Sequence, residues 1–203
     1  MRREGPDFSF EDAAFARGFA RVAGVDEAGR GPLAGPVMAA AVILDPSDIP
    51  AGLNDSKALS KKKREALFAE ITTRARWAVG EASVAEIDEI NILRASHLAM
   101  LRALAALGPV DLALIDGNMT PRDIPCPAEP IVKGDARSLS IAAASIVAKI
   151  CRDRVMYDLA QHHPGYGWET NQGYPSKSHI SALRHLGVST HHRRTFRPVR
   201  EML

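Results

Sequence analysis

A chain of 203 residues that is 46% hydrophobic can bury one full core, and a formal net charge of +2 neither demands nor excludes a polyanionic partner. The longest apolar run, residues 37–44, is far too short to cross a bilayer, which argues against a membrane protein. Cys126 and Cys151 lack metal-ligand spacing and follow no apolar leader, so reduced thiols in a cytoplasmic protein are expected, a monomer with no protein partner indicated.

Residues 1–20 read as an extension with a short helix around 11–19, where Phe15 and Phe19 would share a face, and no chemistry attaches to them. Residues 22–25 and 37–44 have the composition of strands, and Gly29, Gly31, Pro32, Gly35 and Pro36 between them predict a hairpin loop. Asp26 and Glu27 stand where the first strand gives way to that loop. Two ionised carboxylates side by side ask for exposure to water or for a cation, and exposure is the simpler account. Arg30 and the bare glycine backbone favour a ligand instead. A regular strand would send the two carboxylates to opposite faces, so joint metal binding needs the strand to end or twist there, or Glu27 to reach around.

A loop rich in Pro, Gly, Asn and Asp follows, and Ser60 can cap a helix from Lys61 to about Arg76 with Leu67 and Ile71 facing inward. Lysines in its first turn oppose the helix dipole, which reads as a solvated turn or as a neighbouring phosphate backbone. Residues 77–83 form a predicted strand, and Ser83 with Glu86 makes a capping-box pattern. Leu93, His97, Met100, Leu101, Leu104 and Leu107 recur at helical spacing until Gly108 and Pro109, which makes His97 a packed histidine rather than a ligand. Residues 110–115 read as a buried strand that ends in Asp116, where ligand crevices open in alternating α/β chains.

A proline-rich connection over 119–130 leads to a brief strand, 131–133, and then to Gly134 and Asp135. Ser138 or Ser140 begins a long helix with Ile141, Ala144, Ala148, Cys151, Val155 and Leu159 on its inner stripe, and Lys149, Arg152, Asp153 and Arg154 are expected to pair at the surface. The loop GYGWETNQGYPSKSH holds Tyr166, Trp168 and Tyr174, suited equally to stacking on sugars or bases and to clasping itself. Between Thr170 and Arg200 there is no acidic residue, while Lys177, Arg184, Arg193, Arg194, Arg197 and Arg200 make a basic face to which His191 and His192 are assigned.

Asp26, Glu27, Asp116 and Asp135 are thus acids at strand ends or helix starts, of a type suited to Mg²⁺ or Mn²⁺. In order, GVDEAGRGPLAGPV, NDSKALS, LIDGN, KGD, SIAAASIVAKICRDR, YGWETNQGYPSKSH and HHRRTF closely resemble the bacterial ribonuclease HII family over nearly all of residues 22–199. The resemblance implies an α/β ribonuclease H-like fold, a mixed five-stranded sheet flanked by helices with a helical C-terminal segment, in a catalytic domain spanning 21–203. It implies an endonuclease that cuts the RNA strand of RNA/DNA hybrids, and 5′ of a lone ribonucleotide in duplex DNA, by two-metal-ion catalysis that leaves 3′-hydroxyl and 5′-phosphate ends.

By the same resemblance the metal-binding acids fall on Asp26, Glu27, Asp116 and Asp135, the segment that senses the 2′-hydroxyl on Gly29, Arg30 and Gly31, and the junction-stacking tyrosine on Tyr174. Arg30, Ser56, Lys57 and the basic tail would position phosphates. Pro175 stands where the family usually has glycine, and Ala58 where a second lysine is common. Two other readings compete: a non-catalytic hybrid-binding module of the same fold, and a metal-dependent phosphohydrolase acting on small phosphate esters. A steep loss of affinity with salt separates the last from a nucleic-acid enzyme.

Overall fold

The computed structural model describes residues 5–203. Five strands, β1 (Val22–Ala28), β2 (Val37–Ile43), β3 (Arg76–Ala82), β4 (Leu112–Asp116) and β5 (Ala128–Ile131), form one sheet in the order β3-β2-β1-β4-β5. β1, β2 and β3 pair antiparallel, and β4 and β5 continue parallel to β1. The helices are α1 (Ser9–Ala16), α2 (Lys61–Arg74), α3 (Val84–Ile90), α4 (Ile92–Leu107), α5 (Leu139–His162), α6 (Trp168–Asn171), α7 (Lys177–Leu186) and α8 (Arg197–Arg200).

Both faces of the sheet are covered, which explains why β2 is apolar at every position rather than alternating. Val37, Ala39 and Ala41 pack with Ala99, Met100, Ala103 and Leu104 of α4 on one face. Ala40 and Val42 meet Leu67, Phe68 and Ile71 of α2 and the small residues of α5 on the other. Alanines at the contact let α5 approach closely. The approach is closest at Gly24, where a Cβ would sit 2.1 Å from the carbonyl carbon of Ser140.

Ser60 caps α2 and Ser138 caps α5, as their sequence positions suggest, and Ser83 with Glu86 closes the capping box of α3. Several boundaries differ from the sequence reading. β1 runs on through Glu27 to Ala28 in register with Met38, so the two acids lie within the strand and not beyond its end. The helix expected to continue from Glu86 breaks at Asn91, whose φ of 69° starts α4 anew with its side chain accepting from Leu93 and Arg94. The strand expected at 131–133 lies at Ala128–Ile131, and Lys133 turns left-handed (φ 55°) to begin a single 3₁₀ turn, Gly134–Ala136. Pro130 is tolerated because β5 is an edge strand.

α1 is shorter than expected, and Phe19 lies beyond it, yet Phe15 and Phe19 pack on the same apolar cluster as Val22 and Leu112. This segment reaches the start of α5. Glu11, 1% exposed, accepts from the Ser138 hydroxyl at 2.6 Å and from the Ser140 amide and hydroxyl at 2.9 and 2.5 Å. Asp7 adds main-chain bonds to Arg137 and Leu139.

Candidate active site

β1 and β4 are adjacent and parallel, so Asp26 and Asp116 emerge side by side at one end of the sheet. The 3₁₀ turn that follows β5 brings Asp135 to the same point. One ligand oxygen from each of Asp26, Asp116 and Asp135 lies within 4.8 Å of the others, an arrangement that could hold a metal ion. Main-chain amides hold two of the three carboxylates. The Asp26 Oδ1 accepts from the Glu27 amide at 2.7 Å, and the Asp116 Oδ1 accepts from the Gly134 amide at 2.7 Å and from the Asp135 amide at 3.4 Å.

Glu27 stands apart from this trio. Strand alternation turns it away from Asp26, and its Oε1 pairs with the Arg30 guanidinium at 3.0 Å. It shares a depression with Asp116, Asn118 and His97, so His97 is a half-buried residue beside the acids rather than a core residue.

Burial and neighbouring charge raise the proton affinity of both Asp26 and Asp135. Burial first, and then the charges of Glu27 and Asp116, hold the Asp26 carboxyl well above the usual carboxylate range. Burial followed by the charges of Asp116 and Asp55 pushes Asp135 up to about 6. Burial also raises Glu27, against the pull of Arg30. Lys57 lies close enough that Asp55, Asp26 and Asp135 outweigh the effect of its burial and raise its pKa. Three hard oxygen donors under mutual repulsion suit a divalent cation of the Mg²⁺ or Mn²⁺ kind.

Beside the acids lies a groove of about 360 Å³ lined by Glu27, Gly29, Arg30, Gly31, Ser56, Lys57, Ser145, Lys149, Arg152 and Tyr174. Gly29, Arg30, Gly31, Ser56, Lys57 and Tyr174 are thus brought to one place, whereas the basic tail does not line this groove. Ser145 was not singled out. Its hydroxyl donates to the buried Ser56 hydroxyl at 2.8 Å and lies beside Asp26, linking the Ser56 loop to the acid cluster. A serine within an alanine-rich helical face, one helical turn before Lys149, is the signal that could have marked it.

Three assignments are corrected. Arg152 does not pair at the surface: it is 1% exposed, and its guanidinium donates to the carbonyls of Pro36, Ala34 and Gln172, each at 3.0 Å. Lys149 and Asp153 do pair, at 2.7 Å, and Arg154 lies over the Phe68 ring. Arg193 is no part of the basic face, being 0% exposed and bonded to the carbonyls of Gly29, Arg30, Gly35 and Pro36. Burial pulls Arg152 down to about 10 and Arg193, which also faces Arg152, to about 9.

His192 is likewise buried, between Tyr166, Trp168 and His179. The hydrogen bonds define its protonation. Ser189 donates its amide to His192 Nδ1, so Nε2 carries the proton and donates to His179 Nε2 at 3.1 Å. His179 in turn donates from Nδ1 to the Tyr174 carbonyl at 2.9 Å. Tyr166 and Trp168 stack on each other at 4.9 Å and clasp the loop, while Tyr174 is 43% exposed at the groove. Tyr166 and Trp168 therefore clasp the loop, and Tyr174 is left free of that clasp.

Comparison with known proteins accords with this geometry. The family model described as ribonuclease HII matches residues 23–199. A ribonuclease HII of Ruegeria sp. (strain TM1040) is 65% identical over 199 residues, covering 98% of this chain and 87% of the relative. One from Roseobacter denitrificans is 66% identical over 189 residues, covering 93% and 96%. The crystal structure of the ribonuclease H2 from Pyrococcus horikoshii OT3 superposes with a TM-score of 0.74 at 28% identity, covering 90% of this chain and 97% of that one. No described helix is long and apolar enough to cross a membrane. With three carboxylates converging beside a polar groove on a ribonuclease H-like sheet, and a family match over nearly the whole chain, this protein belongs to the ribonuclease HII family.

Proposed function

We propose that this protein is a metal-dependent endoribonuclease that hydrolyses the RNA strand of RNA/DNA hybrids and cuts on the 5′ side of single ribonucleotides in duplex DNA. The observation that carries the reading is the convergence of Asp26, Asp116 and Asp135 next to a groove that ends at Gly29, Gly31 and Tyr174. We assign Mg²⁺ or Mn²⁺ to Asp26, Asp116 and Asp135, with Glu27 as the fourth carboxylate of a two-ion site, and the cytoplasm as the place where such duplexes are met. Ions held there supply Lewis-acid stabilisation to the phosphate and lower the pKa of the attacking water.

The chain's own residues do the rest. The amides of Glu27 and Gly134 orient the carboxylates, so no reorganisation is needed as charge develops. Lys57 and Arg30 lie where the phosphate would enter. Gly31 presents bare backbone beside the Tyr174 ring, which lies 3.5 Å from where a Cβ would be, so no side chain of its own stands between a ribose and that backbone. The 2′-hydroxyl, donor and acceptor at once, is the group that separates RNA from DNA at that point. Water adds to phosphorus as the P–O3′ bond breaks, which leaves 3′-hydroxyl and 5′-phosphate ends.

The test is cleavage of a labelled DNA duplex carrying one ribonucleotide, with Mg²⁺, with Mn²⁺ and with EDTA, beside an all-DNA control and a continuous hybrid. Metal-dependent cutting 5′ of the ribonucleotide with the control intact is expected. Tight, salt-sensitive binding without cutting of either RNA-containing duplex would make the protein a binding module instead.

A further inference from the structure

We infer that Arg193, assisted by Arg152, is a positioning residue that sets ribonucleotide discrimination by turning the peptide groups of residues 29–31 toward the groove. The inference rests on the proposed role of that loop in sensing the 2′-hydroxyl.

Both guanidinium groups are buried and neither has a carboxylate partner. A buried cation is costly to desolvate, so its partners are informative. Here they are main-chain carbonyls throughout. Arg193 donates to the oxygens of Gly29 at 2.6 Å, Arg30 at 3.0 Å, Gly35 at 2.9 Å and Pro36 at 3.1 Å. Arg152 shares the Pro36 oxygen and joins it to Ala34 and to Gln172, two residues before Tyr174. The backbone adds three ties: Leu33 to Gly173 at 2.7 Å, Gly35 to His191 at 2.9 Å and Arg193 to Leu33 at 2.8 Å. The loop is thus fastened to both cations, and the segment before Tyr174 to Arg152.

A planar trans peptide points its N–H opposite to its C=O. With the Gly29 and Arg30 carbonyls drawn inward to Arg193, the amides of Arg30 and Gly31 face the other way. Neither amide has a hydrogen-bond partner within the described residues. Two unpaired donors on an exposed stretch of backbone, 2.6–3.0 Å bonds fixing them from behind, form a ready receptor for a hydroxyl oxygen. Arg193 itself points away from the groove and touches no part of the acid cluster. Its effect is on aim, and an ångström of misplacement in a positioned group can cost about 10²-fold in rate.

The experiment uses Arg193→Met, of similar bulk but without donors, and Arg193→Lys, which keeps the charge but not the fan of bonds. Folding is followed by circular dichroism, and Mn²⁺ binding by calorimetry. Affinity in EDTA is then compared between duplexes with one ribonucleotide and with none, and kcat and KM are measured on the single-ribonucleotide duplex and on a continuous hybrid. Folded Arg193→Met is expected to keep wild-type Mn²⁺ affinity, to bind both duplexes alike, and to lose about 10²-fold in kcat/KM on the single-ribonucleotide duplex. Arg193→Lys is expected to regain about tenfold of that loss.

A folded Arg193→Met with the wild-type binding ratio and KM would reduce Arg193 to a structural role and overturn the inference. Should Arg193→Met not fold, the same ratio on Arg193→Lys decides in the same way. Equal binding of the two duplexes by the wild type would overturn the loop's sensing role, and this inference with it, whereas a wild-type preference that survives in the variants overturns this inference alone.

Discussion

Gly29→Ala separates the mechanical from the chemical demands on the β1–β2 loop. Gly29 has φ of 96°, and a Cβ there would lie 1.9 Å from Nε and 2.4 Å from Cδ of Arg152. The left-handed conformation alone costs an alanine about 1–2 kcal/mol. The overlap adds more, because Arg152 is not a free surface side chain that can swing aside: three carbonyls hold it at 3.0 Å and almost no solvent reaches it. Retreat of the guanidinium breaks at least one bond from a charged donor, about 1.5–3 kcal/mol, and leaves a buried carbonyl unpaired. The total is about 3–5 kcal/mol. For a chain of this size each kcal/mol moves the melting temperature by about 2–4 °C, so a fall of about 6–20 °C is expected.

Thermal unfolding by circular dichroism measures this directly, and Gly31→Ala is the control. Its Cβ would meet only the Tyr174 ring edge at 3.5 Å, an ordinary contact, so its melting temperature is expected within about 2 °C of wild type. Its activity should fall nonetheless, since the added methyl occupies the gap between loop and tyrosine. A Gly29→Ala protein that melts within about 3 °C of wild type would refute the claim that Arg152 is locked against the loop.

Asp116→Asn keeps the oxygen that accepts from Gly134 but removes a charge from the trio; turnover on a hybrid is expected to fall more than about 10²-fold while circular dichroism and hybrid binding in EDTA stay near wild type, and a variant cutting at the wild-type rate would remove Asp116 from the mechanism. Mn²⁺ at about 100 times its dissociation constant should stabilise the wild type by about 2.7 kcal/mol in urea denaturation, and an equal gain in Asp116→Asn would show that the ion binds elsewhere. Glu11→Ala strips three bonds from the start of α5 and is expected to lower stability by about 2–4 kcal/mol in urea, an effect under about 1 kcal/mol contradicting the buried link. Burial, and then His179, lower the His192 pKa to about 4 from an ordinary value near 6.5. The unfolded chain therefore binds more protons between those values, so the contribution, on the order of 3 kcal/mol, is present above pH 6.5 and lost as pH falls toward 4. Asp135, raised to about 6, acts in the opposite sense, so the quantity to measure is the difference in pH slope between wild type and His192→Gln; identical slopes would refute the assignment.

Which parts of this site were legible in the sequence follows from how each is held. Asp26 and Asp116 are visible because each ends an apolar run, and apolar runs of strand length that alternate with helical periodicity imply adjacent strands. Asp135 is visible only through the KGD segment that resembles the family, since its place just before a helix start is equally that of a capping residue, and Ser138 is what caps α5. Glu27 is harder, since strand alternation turns it from Asp26 and only the register of β1 against β2, through Ala28, settles that. Arg152 and Arg193 escaped because their partners are carbonyls as far as 118 and 164 residues away, and a carbonyl carries no residue identity for a motif to record. Arg152, four residues after Ala148, does share the inner side of α5, while Arg154 two residues on faces elsewhere, over Phe68; the charge alone made both read as surface residues.

A physical trace of both arginines was nevertheless present in the loop they serve. Residues 29–36 contain two prolines, which bring acceptors without donors, and three glycines, which bring no side chains to satisfy them. Leu33 and Gly35 spend their amides on Gly173 and His191, outside the loop. Such a loop, if buried, has carbonyls in excess and must import donors. A guanidinium, with five N–H groups in a planar fork, can serve four acceptors at once from one buried position, one more than an ammonium can. A buried glycine-proline loop therefore calls for an arginine from elsewhere in the chain. Here Arg152 and Arg193 answer it, from the helix that packs on β1 and from the C-terminal segment.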